Sequence, residues 1–438
     1  MEFSPQALLD GMDAWPRPAR LVALVSGGRD STVLLHALAQ VRDSLSAPLH
    51  VLHFDHGLSS EAGAWREQVR DGAARLGLPF HAEHLALGAG GAVETRARSA
   101  RYRRLAEWMH PGDCCLSAHH LDDQAETFLL QALRGAGVAG LAAMPELARF
   151  GEGWLGRPLL RWTRAELGTW AQAQHLHWVE DPGNRELAAP RNWLRHRVWP
   201  LLTERWPAAA RTLARSADLA AEADALVREV ASGDLEGVQA GGGDRLRVPD
   251  LVALSGPRRR SLLRFWLRAR GVPLPSAAKM AELEASLLFA DPGGRAALRW
   301  PGAEAHRYRG MLHVFQPLPE PPAGSITLTP CRLRDLGALG RVGLVASPGG
   351  PLASPPAGFA TVEIRFRHGG ERLRPSGAAH RRPLKKLLQE AAVLPWMRGR
   401  LPLLYLNGEL AAVGDLFVAE SAAGKGWSLV WENAPPVL

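Results

Sequence analysis

Several short clusters in the first 130 residues carry residue types that can do chemistry. Ser26-Gly27-Gly28-Arg29-Asp30-Ser31 follows the apolar run Leu21–Val25 and leads into a helical stretch. Two glycines allow a tight turn that presents backbone N–H groups, and a helix N-terminus adds partial positive charge, so the loop suits phosphate. The lysine of G-x-x-x-x-G-K-[ST] is absent, which excludes that nucleotide loop. A plain strand–helix turn capped by Asp30 or Ser31 is the alternative. His53-Phe54-Asp55-His56-Gly57-Leu58 closes a second apolar run, and Ser117-Ala118-His119-His120-Leu121-Asp122-Asp123-Gln124-Ala125-Glu126-Thr127 closes another. Spacings of three and four let Asp122, Asp123 and Glu126 converge at a helix start, where carboxylates plus phosphate oxygens would suit Mg²⁺. Asp123 with Glu126 also fits a capping box. The histidines have no second ligand cluster at zinc spacing. Glu94, Arg98, Arg101 and Tyr102 share one helical face, as a surface ion pair or as arginines aimed at developing negative charge.

The elements that must position these groups alternate. Strand-like runs at Leu21–Val25, Leu49–Phe54, Phe80–Leu85 and Cys114–Ala118 are separated by helical patterns at Ser31–Val41, Glu61–Leu76 and Val93–Met109. Such βαβ alternation predicts a parallel sheet with helices on both faces, with ligands at the carboxyl ends of the strands. The motifs fall at those ends. Beyond Trp206, Pro207–Val230 and Arg258–Arg270 read as helices, and Gly241–Gly243, Pro317–Gly324 and Ser347–Gly358 as linkers. Strand-like runs return at Thr361–Phe366, Leu403–Leu406 and Leu410–Val413. The expected division is an α/β domain over 1–215, a helical domain over 216–320 and a small α+β domain over 325–438.

The chain has 438 residues, 46% hydrophobic and 22% charged, as a folded globular protein has. No apolar run is long enough to span a bilayer, and the acidic N-terminus is no signal peptide. With three cysteines there is no disulfide framework, so a cytoplasmic location and no membrane partner are expected. All but four of the 52 basic residues are arginine, and the net charge is +8. A planar, permanently charged fork suits phosphate, so a polyanion, nucleic acid first, is the expected partner. Between residues 361 and 400 ten cations face three acids, and Arg260, Arg264 and Arg268 share a helical face.

The Ser26–Ser31 loop resembles the pyrophosphate loop of the N-type ATP pyrophosphatases (PP-loop enzymes). Within that group the motifs His53–Leu58, Glu94-x-x-Ala97-Arg98-x-x-Arg101-Tyr102, Ala118–Thr127 and Arg157–Leu160 resemble the tRNA(Ile)-lysidine synthetase family. So do Asp181 with Asn184, Arg191-Asn192-x-x-Arg195, Leu384–Glu390, Pro395–Arg398 and Leu401–Tyr405. Departures are Phe54, Ser59, Ser117 and Gly183, none at a proposed catalytic carboxylate.

The resemblance implies ATP over Ser26, Gly27, Gly28, Arg29, Asp30 and Ser31, with Mg²⁺ held by Asp30 and Glu126. It implies catalytic roles for Asp55, Arg98, Asp123 and Glu126, and tRNA contacts by Arg191, Asn192, Arg195, Arg381, Arg382, Lys385 and Lys386. The implied reaction joins free L-lysine to C2 of the wobble cytidine of tRNA(Ile) with a CAU anticodon, releasing AMP and pyrophosphate. Asp55 or Asp123 would deprotonate the lysine amine. A tRNA thiolation enzyme on the same scaffold and an RNA-binding protein with a vestigial loop are the rivals, and a homodimer stays open.

Overall fold

The computed structural model describes residues 2–55, 61–85, 93–180, 187–291, 297–353, 361–435 and 437, with α4 side chains from residue 96 onward. The chain divides into two compact units, Met1–Val227 and Arg228–Leu438.

The first unit is built on strands β1 (Arg20–Leu24), β2 (Leu49–Asp55), β3 (Phe80–His84), β4 (Asp113–Leu116), β5 (Leu147–Phe150) and β6 (Gly153–Gly156). Their order is β3-β2-β1-β4-β6-β5, with the first five parallel and β5 antiparallel to β6 at the edge. Each predicted strand and helix lies within a few residues of its expected place; the β5–β6 hairpin is an addition. Helices α1 (Pro5–Asp10), α2 (Arg29–Gln40), α3 (Ala62–Arg75), α4 (Val93–Trp108) and α5 (Leu121–Leu133) follow.

Alternation along β1 explains the layers. Leu21 and Ala23 pack on one face with Leu34, Leu38, Val69 and Leu167, drawn from α2, α3 and the helix Arg164–Ala173. Val22 packs on the other with Leu105 of α4, Met109 and Leu52. Both faces are covered, so a strand with no polar face is stable. Ser26–Ser31, Asp55 and Ser117–Thr127 sit at or follow the carboxyl ends of β1, β2 and β4.

In the second unit the expected helix is Gly256–Ala269, burying Leu262, Leu263, Trp266 and Leu267. Beside it lies a five-stranded antiparallel sheet including Arg245–Arg247, Ala303–Tyr308 and Met311–Phe315, which the helical reading of this region did not contain. Gly241–Gly243 is not a linker. It forms the turn between two strands of that sheet, and Gly243 O accepts the Trp266 indole N–H at 2.8 Å. The C-terminal part pairs a five-stranded and a four-stranded sheet around Leu344, Ile364 and Leu404, with the helix Leu384–Glu390 against a neighbouring core. We propose that the division at 1–215, 216–320 and 325–438 describes the domains; the last lies within the second unit, and the middle one begins twelve residues before the unit boundary at Val227.

Candidate active site

The Ser26–Ser31 loop is closed by its own hydroxyls. Ser31 Oγ donates to Gly28 O at 2.9 Å, accepts the Ser26 N–H at 3.2 Å and lies 3.1 Å from Ser26 Oγ. Gly27 has φ +90°, a value that favours glycine, and a Cβ there would sit 3.3 Å from Val69 Cγ2. Gly28 occupies the N-cap of α2. This removes the alternative of a turn capped by Asp30 or Ser31: glycine brings no side-chain acceptor, so no cap side chain competes for the first-turn N–H groups. Arg29 donates to Asp30 Oδ1 through Nε and Nη2, both at 3.1 Å.

Asp30 belongs to a chain of charges that crosses to α5. His120, 2% exposed, is the N-cap of α5 and places Nε2 3.5 Å from Asp30 Oδ2 and 3.4 Å from Asp123 Oδ2. Its Nδ1 lies 3.6 Å from Asp122 Oδ2. Burial alone would lower its pKa, but Asp123, Asp122 and Asp30 raise it to about 10. Burial alone would raise the Asp30 and Asp123 carboxyls. His120 and Arg29 hold Asp30 below its usual range, and His120, Arg191 and Arg195 hold Asp123 far below it. Glu126 is 1% exposed. Arg191 Nε donates to its Oε2 at 2.8 Å, while Arg195 Nε donates to Oε1 at 2.7 Å and Nη2 to Oε2 at 2.8 Å. Arg195 Nη2 also reaches Asp123 Oδ1 at 3.0 Å.

His119 behaves oppositely. Its Nδ1 lies 2.9 Å from Ser117 Oγ; burial, with Arg157, Arg191 and Arg98 and against Asp123, pushes its pKa down to about 3. Adjacent histidines are therefore held in opposite charge states. Arg98 sits with its guanidinium 5.3 Å over the Tyr102 ring on α4. Asp55, at the end of β2, has Arg66 Nη1 and His84 Nδ1 both at 3.9 Å from Oδ2. Asp122 does not join Glu126. Its Oδ2 accepts the Arg164 N–H at 2.7 Å and so anchors the start of the helix Arg164–Ala173.

A PP-loop domain model matches residues 7–202, a TilS substrate binding domain model 246–313 and a TilS substrate C-terminal domain model 362–431. The tRNA(Ile)-lysidine synthase of Alkalilimnicola ehrlichii is 38% identical, covering 99% of this chain and 98% of its own. Those of Pseudomonas syringae pv. tomato and Ralstonia nicotianae are 39% and 41% identical, covering 98% and 94% of this chain and 95% and 92% of theirs. The chain belongs to the tRNA(Ile)-lysidine synthase family.

As a family member it is a PP-loop ligase that uses ATP. Its carboxylates are hard oxygen donors, which fit Mg²⁺ better than a soft metal. Asp30 keeps 27% of its side chain exposed, whereas both Glu126 oxygens are held by guanidinium groups. Among the described residues no group of three His, Cys, Asp or Glu is arranged to hold a metal ion.

Arg191 and Arg195, expected at tRNA, are turned onto Glu126 and Asp123. The signal was present: cations four apart match carboxylates three apart. Asn192 lies between them on the same segment. Arg381, Lys385 and Lys386 are exposed and Arg382 is half-buried, paired with Glu390. His56–Ser59, Asp181, Gly183, Asn184 and the Glu94 side chain lie outside the described residues. Cys114 and Cys115 pack on opposite faces of the sheet, and burial pushes Cys114 up to about 12 and Cys115 higher still. Neither is a sulfur-delivering thiolate. Among the described residues no helix is long and apolar enough to cross a membrane.

Proposed function

We propose that this chain ligates free L-lysine to C2 of the wobble cytidine of tRNA(Ile) bearing a CAU anticodon, with ATP converted to AMP and pyrophosphate. The observation that supports this reading best is the continuous charge network from the loop residue Asp30 through His120 to Asp123 and Glu126. It ties the nucleotide loop to the family's Ala118–Thr127 motif.

ATP lies over Ser26–Ser31, its phosphates met by backbone N–H groups at the start of α2. Asp30, still partly exposed, would hold Mg²⁺, which would supply charge neutralisation at the phosphates. Glu126, expected as a second ligand, has both oxygens taken by Arg191 and Arg195 and would act as their counter-ion. Arg98 offsets charge as the cytosine O2 attacks the α-phosphate and pyrophosphate departs. The lysine ε-amine then displaces AMP. With an ordinary pKa near 10.4, about one amine in 2,500 is neutral at pH 7, so a proton acceptor speeds this step. Asp123, held ionised by His120 and two arginines, is a weak base and a strong electrostatic anchor. That makes Asp55 the better acceptor of the two. Arg381, Arg382, Lys385 and Lys386 give salt-dependent attraction to the tRNA backbone, and splayed loop bases give specificity.

The buried, high-pKa cysteines of β4 disfavour the thiolation reading, and the intact loop disfavours a vestigial one. The test mixes protein, Mg-ATP and labelled lysine with a CAU transcript of tRNA(Ile), and with the same transcript carrying uridine at the wobble position. Label in the cytidine transcript alone, with AMP and pyrophosphate released, is the expected result. ATP consumption without lysine incorporation overturns the choice of nucleophile.

A further inference from the structure

The segment that delivers Arg191 and Arg195 to the active site carries a second, outward surface. Pro190–Trp193, a π-helical turn Leu194–Val198 and the helix Trp199–Arg205 run on from one another. Wide turns of this kind recur at functional sites because they re-aim side chains. Arg191 and Arg195 point inward, and Leu194 is 3% exposed. At every fourth position the segment shows the opposite: Trp193 is 51% exposed, Arg197 is exposed, Leu201 is 66% exposed and Arg205 is exposed, followed by Trp206 at 60%. Apolar and cationic groups therefore interleave along the exposed side. From residue 190 to 206 four arginines face one acid, Glu204.

We propose that this exposed face, with Trp193 at its active-site end, is a stacking platform for an unpaired base of the anticodon loop next to the modified cytidine, with Arg197 meeting that nucleotide's phosphate. The inference rests on the proposed function and adds the residue that orients the loop. Three observations carry it. An indole half open to water leaves a flat face available for stacking, and every base offers a flat π face. The residues two before and two after Trp193 are fixed to Glu126 and Asp123 at 2.7–2.8 Å and 3.0 Å, so its backbone is held beside the carboxylate network. The interleaved arginines match a polyanion with exposed bases rather than an apolar protein face, which would favour contiguous apolar residues. A second copy of this chain would bring arginine against arginine.

The test compares the full chain with Trp193→Ala, Trp193→Phe and Arg197→Ala. Two RNAs are used: an anticodon stem–loop with a CAU loop, and a fully paired duplex of the same length. Wild-type lysine incorporation is measured in parallel. Trp193→Ala is expected to weaken stem–loop binding about ten-fold and leave duplex binding unchanged, and Trp193→Phe is expected to restore most of the loss. Arg197→Ala weakens both RNAs and flattens the salt dependence. In turnover, KM for tRNA rises while KM for ATP and kcat at saturating tRNA hold. Equal loss on stem–loop and duplex, no loss at all, or a Trp193-dependent change in self-association each overturns the proposal. If Trp193-dependent stem–loop binding appears in protein that incorporates no lysine, the proposed function fails and the platform stands. If lysine is incorporated at the same KM for tRNA with or without the Trp193 indole, the platform fails and the proposed function stands.

Discussion

Arginine does two different jobs in two regions of this chain. Beside the nucleotide loop, Arg191 and Arg195 are locked to a carboxylate that is 1% exposed, in hydrogen bonds of 2.7–2.8 Å. In the stretch 361–400 the cations sit mostly at the surface: Arg372, Arg374, Arg381, Lys385 and Lys386 are exposed, and Arg372, Arg374, Arg398 and Arg400 donate to backbone carbonyls. The first arrangement fixes geometry and is costly to break, because a desolvated charge left alone has no water to turn to. The second stores little energy in any one residue and acts as a field that salt screens. Counting basic residues could not tell the two apart.

The sharpest break in that comparison comes from the loop itself. Asp30→Asn should lower pyrophosphate release with tRNA about a thousand-fold with little change in melting temperature, since Asp30 is partly exposed. A full-rate variant would place the nucleotide elsewhere. Glu126→Ala should cost about 3 kcal/mol in urea unfolding, whereas Lys385→Ala should cost about zero. Equal costs would erase the distinction between the two regions. The triple variant Arg381→Ala, Lys385→Ala, Lys386→Ala should weaken tRNA binding and lower the slope of log K against log salt by roughly 2–3, with ATP affinity unchanged.

A smaller effect is expected from pH. The folded-state pKa of His120 is raised to about 10 from 6.5. Its contribution to stability is therefore fully present below pH 6.5 and fades as pH rises through 10. His119, depressed to about 3, contributes in the opposite sense: fully above pH 6.5, and less as pH falls towards 3. Unfolding measured across pH 5 to 10 should lose its alkaline slope in His120→Asn and its acid slope in His119→Asn. The smallest change is expected for Cys115→Ala, about 1 kcal/mol of packing with turnover unaffected. Loss of turnover there would revive a sulfur-transfer reading.

Much of the catalytic unit was legible because βαβ alternation and short apolar runs are local signals. β1, β2, β3 and β4 follow from them directly. The β5–β6 hairpin was missed because Leu147–Phe150 alternates weakly and its turn is only two residues long. The middle sheet was missed for a similar reason, since strands as short as Arg245–Arg247 lack a detectable period. At the site, residue types were legible and partners were not. Asp122 and Asp123 are neighbours in sequence, yet one anchors a helix 42 residues onward while the other meets arginines about 70 residues away. Chain distance of that size leaves no local trace.

The strand order has a further consequence during synthesis. β1 carries the nucleotide loop yet pairs on one side with β4, so Arg20 meets Asp113 and waits for it. Gly27 O is closed by the N–H of Val179, and Glu126 is closed by Arg195. A nascent chain shorter than about two hundred residues thus has the loop but neither its roof nor its counter-ions. At roughly 5–20 residues per second, the interval from the loop to Arg195 lasts about 8–33 s, and for its first half, until β4 is made, β1 offers an open edge to any passing strand. A ribosome-bound holdase would meet this chain most productively in that window, before Arg195 emerges.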